Sequence, residues 1–181
     1  MLTGEIKMNK FSKAKYLSYM SMLLTLIIVL SIFESMLPPF PLLPPGVKVG
    51  LANIVTMYTL FFLGKKEAFS LNIAKGIFVL ITRGFTSGLL SICGGLLSIC
   101  IIIVLASVFK KNISYFLLSI AGAIFHNIGQ LIAIYFILNN KYTVYYLPVL
   151  IVSGVVMGSI TGILLKTLLP VLSYPLKETI K

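Results

Sequence analysis

The chain has a single histidine, and it falls in Gly122-Ala123-Ile124-Phe125-His126-Asn127-Ile128-Gly129-Gln130. Residues four apart share a helix face, so Gly122, His126 and Gln130 make one stripe, with Asn127 and Gly129 flanking it. Glycine admits a neighbouring helix or a ligand, while His, Asn and Gln supply donors and acceptors. Such a set recognises a small polar solute without making or breaking bonds. The plainer alternative is an interhelical hydrogen bond that only fixes packing. Glu34, Lys48, Asn53, Lys75 and Arg83 extend the set, each within or beside an apolar run. Three cations against one carboxylate suit an anionic solute. Alternatively, Lys48 and Arg83 snorkel to an interface and Glu34 pairs with one of them. Lys75 is mid-run, where an ammonium needs a partner, water or a ligand.

Other chemistries lack their residues. There is no Asp, and the four acids, Glu5, Glu34, Glu67 and Glu178, are far apart. Divalent-metal sites for phosphoryl or prenyl transfer cluster carboxylates. One His with Cys93 and Cys100 does not make a zinc set. No phosphate loop ending in Lys-Ser/Thr occurs, so an ATP motor, if there is one, is another protein. The expectation is a non-enzyme with no catalytic residues, no metal and no cofactor. The cysteines, seven residues apart in one apolar run, are expected to be buried packing residues.

The elements that must position these groups are membrane helices. Of 181 residues, 59% are hydrophobic and 10% charged, against roughly half and a quarter in a soluble domain. At ~20 residues per span, the chain is expected to be all-α, a single polytopic bundle of six transmembrane spans. These fall at residues 16–37, 49–63, 68–82, 88–109, 113–138 and 144–169, the last ended by Pro170. The first run is too long for a signal core and lacks a cleavage site; the Pro-rich segment 38–46 ends it. Spans two and three, at ~22 Å, fall short of the ~30 Å hydrocarbon core. Each is therefore broken or extended by its flanking loops.

The formal charge of +11 is spread between apolar runs, which argues against nucleic acid as a partner. The N-terminal tail, loops 64–67 and 110–112 and the C-terminal end hold eleven of the fifteen Lys and Arg. Cytoplasmic loops are the basic ones, so both termini are expected inside a bacterial cell membrane. The polar groups then gather in the outer half. His126, Asn127 and Gln130 lie ~21–27 Å up span five, and only Asn72 and Lys75 sit deeper.

Gly154, Gly158 and Gly162 repeat along one face of span six. Ser87, Ser91, Gly95 and Ser98 do the same in span four, and Ala14 with Ser18 is a weaker pair in span one. Small faces let helix backbones touch, and these are read as packing seams, within the chain or against a partner.

Several segments carry a family likeness: PPGVKVGLANIVTMYTLFFLGKKEA (44–68), GGLLS (94–98), AGAIFHNIGQL (121–131) and YYLPVLIVSGVVMGSITG (145–162). They resemble the Gx transporter family, whose members are often labelled heptaprenyl diphosphate synthase component I. That family is similar to the S components of energy-coupling-factor transporters. The resemblance implies a six-span subunit that binds a solute from outside and works with a transmembrane coupling subunit and paired ATPases. It also implies that the first outer loop, 38–48, folds over the solute, and that small residues on span one, here Ala14 and Ser18, dock the coupling subunit. The synthase label implies a different partner, the catalytic subunit of a polyprenyl diphosphate synthase, with this chain a non-catalytic membrane subunit in quinone or isoprenoid metabolism. Asp-rich magnesium chemistry cannot reside in a chain without Asp.

Overall fold

The computed structural model describes residues 13–36, 50–109, 113–139 and 141–178. Six α-helices follow one another: α1 (Lys13–Met36), α2 (Leu51–Phe62), α3 (Lys65–Arg83), α4 (Phe85–Phe109), α5 (Tyr115–Leu138) and α6 (Leu147–Glu178). A short 3-10 segment, Lys141–Tyr146, leads into α6.

Sequence chemistry sets most helix ends. Gly50 (φ 81°), Gly64 (φ 138°) and Gly84 (φ 87°) take backbone conformations closed to most side chains, and they begin α2, separate α2 from α3, and separate α3 from α4. The Ser114 hydroxyl accepts from the Leu117 N–H and caps α5. Asn139, at φ 47°, closes it. Two boundaries depart from expectation. The loop expected at 64–67 shrinks to Gly64, because Lys65, Lys66 and Glu67 form the first turn of α3, where an acid complements the helix dipole. The sixth helix does not stop at Pro170 but runs on to Glu178. A proline removes one i to i−4 bond, and the backbone ladder resumes on either side of it.

The helices pack as an up-and-down bundle. Tyr19 and Tyr58 share a hydrogen bond at one end of the α1–α2 pair, and Glu34 reaches the Leu51 N–H at the other, so the two run antiparallel. Tyr16 donates to Glu67 and Arg83 donates to the Ser31 carbonyl, which makes α1 and α3 parallel. Close approaches of Gly76 to Ile92, Gly122 to Ser98 and Ile102, and Gly158 to Ile120 set α3–α4, α4–α5 and α5–α6 antiparallel.

Four helices, α1, α4, α5 and the 142–167 stretch, are long and apolar enough to cross a membrane. Their outer faces carry bare apolar side chains such as Phe136 (76% exposed) and Val108 (67%). Lipid, and not water, solvates such surfaces, and the fold is a helical membrane bundle. The helix α2 differs. It has 12 residues, ~18 Å of rise, and every residue from Ile54 to Thr59 is buried. Its neighbours in the core are Leu23 and Ile27 of α1, Leu71 of α3, Ile102 of α4, Leu118 of α5 and Leu165 of α6. A helix apolar all round is buried or faces lipid; α2 takes the first course and α1 largely the second.

Candidate functional site

A cavity of about 120 Å³ opens where α1 ends and α2 begins, between α1, α2, α3, α4 and α5. Seven of the eight expected solute-binding residues line it: Glu34, Asn53, Lys75, Arg83, His126, Asn127 and Gln130. Lys48, the eighth, lies outside the described residues, as does the loop 38–48. Among the described residues, Ser31, Gly50, Val79, Ser87, Leu90 and Ser91 make up the rest of the wall.

The side chains are tied to one another in specific ways. Lys75 is 7% exposed, and its ammonium donates to the Asn53 carboxamide oxygen at 2.7 Å, joining α3 to α2. Glu34 accepts from the Leu51 N–H. The residue before α2 is Gly50, which offers no side-chain cap, so the carboxylate from α1 takes that place and meets the positive end of the helix dipole. Arg83 does not snorkel outward. Its guanidinium donates to the Ser31 carbonyl of α1. Glu34 and Arg83 thus each hold α1 to a neighbour while facing the cavity.

On the opposite wall, His126 and Gln130 meet through their Nε2 atoms at 3.2 Å. Which of the two donates follows the imidazole tautomer, and the buried Nδ1 has no side-chain partner. The helix α4 admits this pair because residue 94 is glycine: a Cβ there would sit 2.9 Å from His126 Cε1 and 3.0 Å from Gln130 Cγ. Gly129 stands against the Cys93 carbonyl from the other side. Asn127 answers differently. It is buried and donates to the Leu150 carbonyl at 3.0 Å and to Ser153 Oγ at 3.2 Å, which pins α5 to α6. Its packing role is visible in these two bonds.

Among residues not expected at the site, Ser31 is 3% exposed and its hydroxyl has no partner. The signal for it was spacing, since Ser31 lies one turn before Glu34 on the buried face of α1. Of the expected seam on α4, Ser87 and Ser91 form cavity wall; packed against Asn72 and Gly122, its other half is Gly95 and Ser98. Those two line a second, smaller cavity with Asn53, Thr56 and Asn72.

A family model described as heptaprenyl diphosphate synthase component I matches residues 23–168. The chain belongs to that family. The match takes in every described residue of the cavity wall. Comparison with curated proteins and with solved structures found no match. In this family member the other seams resolve as follows. Gly154 packs on Ile124, Gly158 on Ile120 and Ala123, and Gly162 on Phe116 and Ser119, so that face is spent within the chain against α5. Ala14 and Ser18 are exposed on α1. The cysteines depart from expectation: Cys93 is half-buried and Cys100 is exposed, because its side of α4 faces outward, where a thiol is apolar enough for lipid.

Proposed function

We propose that this protein is a membrane-embedded, solute-binding subunit of a small-molecule uptake transporter, similar to the S components of energy-coupling-factor systems, and that it is not an enzyme. It takes an anionic solute from the extracellular side. The observation that carries this reading is the cavity, in which two cations and a ring of amides and hydroxyls converge on space in the middle of a membrane protein. Polar groups are costly in a bilayer, and groups that only fixed packing would leave no room between them. The opening lies at the end of the bundle away from the basic segments, the extracellular end by the distribution of Lys and Arg. The chain has no phosphate loop of its own, so if uptake is driven by ATP the motor is another protein, such as a coupling subunit with ATPases.

The family's description favours a second reading, a non-catalytic membrane subunit beside a polyprenyl diphosphate synthase. One experiment separates the two. The purified protein is screened by thermal unfolding against a broad metabolite panel and, in parallel, tested for co-purification with the soluble synthase. Stabilisation by an anionic solute, lost in His126→Ala without unfolding, supports the transporter subunit. A stable complex with the synthase and no response to any solute supports the other.

A further inference from the structure

The cavity wall restricts what can enter it, and this restriction, which rests on the solute-binding reading above, names a ligand class. Among the described residues the wall has only Val79 and Leu90 as apolar side chains, and no aromatic ring apart from the His126 imidazole. Polar and charged side chains outnumber these two among the described residues of the wall. The space is also small. A cavity of about 150 Å³ accepts benzene, so 120 Å³ holds on the order of six non-hydrogen atoms.

Several hydrogen-bond donors on the wall are uncommitted. Lys75 has three N–H groups and uses one on Asn53. Arg83 has five and uses one on the Ser31 carbonyl. The Ser31 hydroxyl is buried without a partner. Glu34, the one carboxylate among the described residues of the wall, accepts from the Leu51 N–H. Two cations against one carboxylate leave a net positive charge out of water, and such a charge calls for a counter-charge.

We infer that the cavity binds a compact hydrophilic oxyanion of about six non-hydrogen atoms or fewer, a short hydroxycarboxylate or a free phosphate, held by Lys75, Arg83 and Ser31. An isoprenoid diphosphate, with its long tail, is too large for a space of about 120 Å³.

The test titrates the purified full chain in detergent with glycolate and with inorganic phosphate. Benzoate, glycerol and farnesyl diphosphate serve as the flat, neutral and tailed comparisons. Binding is read by calorimetry and by the shift in unfolding temperature. The expected result is binding by glycolate or phosphate, the two arms separating the carboxylate from the phosphate, and none by the comparisons. Lys75→Met is expected to weaken it at least tenfold. Ser91→Leu fills the cavity and is expected to abolish it, while the unliganded variant remains monodisperse with a cooperative unfolding transition. This second variant keeps the test decisive if Lys75→Met fails to fold. Oxyanion binding that survives Ser91→Leu lies elsewhere and overturns the inference. Binding of benzoate, glycerol or farnesyl diphosphate alone, lost in Ser91→Leu, overturns the ligand class and leaves the solute-binding reading standing. No binding by any of the five, with the protein folded, overturns the ligand class; response to a different solute in the broad panel then decides whether the solute-binding reading falls as well.

Discussion

Lys75 and Asn53 form the most exposed-to-test pair in the molecule, because each depends on the other in a different way. The ammonium needs an acceptor in a place where water is scarce, and the carboxamide oxygen at 2.7 Å supplies it. Removing the acceptor of a buried charged bond leaves an uncompensated charge, whereas replacing both partners by apolar groups is often neutral. Asn53→Ala is therefore expected to lower stability by about 1.5–3 kcal/mol, and Lys75→Met by less. The double variant is expected to recover most of the Asn53→Ala loss, and thermal unfolding of all four proteins in one detergent completes the cycle. Glu34 gives a second contrast. Glu34→Gln keeps an acceptor for the Leu51 N–H, while Glu34→Ala leaves the start of α2 uncapped. The Ala variant is expected to lose about 1 kcal/mol and the Gln variant a fraction of that, read by the same unfolding measurement.

The helices approach one another closely wherever glycine removes a side chain, and each glycine is matched by a particular neighbour. At Gly95 the space is filled by the Asn72 carboxamide, which a Cβ would overlap. Gly95→Ala is expected to destabilise by about 1–3 kcal/mol through overpacking. Asn72→Ala in the same chain is expected to restore at least half of that loss, since the clash is with that side chain alone. A glycine whose neighbour is backbone has no such remedy. Gly158 faces the Ile120 Cα, so Gly158→Leu is expected to separate α5 from α6 and to resist rescue by any single change on α5. Unfolding temperature and the monodispersity of the purified variants check both outcomes. The Ser119–Thr161 hydrogen bond at 2.9 Å lies on the same α5–α6 seam, and Ser119→Ala is expected to cost about 0.6 kcal/mol, the scale of such bonds in membranes.

Among its described residues the bundle is polar inside at one end and carries large apolar side chains on its outer faces. The helix α2 sits at the centre, too short to cross the bilayer alone, and its N-terminus opens onto the cavity floor at Gly50 and Asn53. Sidedness then determines which compartment the cavity faces. With Cys93 and Cys100 replaced by alanine, Lys66→Cys is expected to react with a membrane-impermeant maleimide only in broken cells. Tyr142→Cys, at the exposed 3-10 turn, is expected to react in intact ones. The reverse pattern assigns the cavity to the cytoplasmic side and removes uptake from outside as its purpose.

The amino-acid sequence by itself determined that this is a membrane bundle of six helices, because apolar runs and the glycines, prolines and charges between them act locally. It also determined which polar residues are out of place in lipid, and the seven described ones of the eight share a single cavity. What spacing along one helix cannot state is which side of a residue faces which neighbour. Asn127 follows His126 directly, yet it bonds to α6, and Ser87 and Ser91 have the pattern of a packing seam but form cavity wall. The small residues of α4 and α6 look alike in sequence; Ser87 and Ser91 of α4 border the cavity, whereas the glycines of α6 are covered by α5. That difference depends on how the helices rotate as they pack around α2, and rotation is settled by long-range contacts such as Lys75 with Asn53 and Arg83 with the Ser31 carbonyl. Only the tertiary structure holds that information, since these bonds join residues 22 and 52 positions apart.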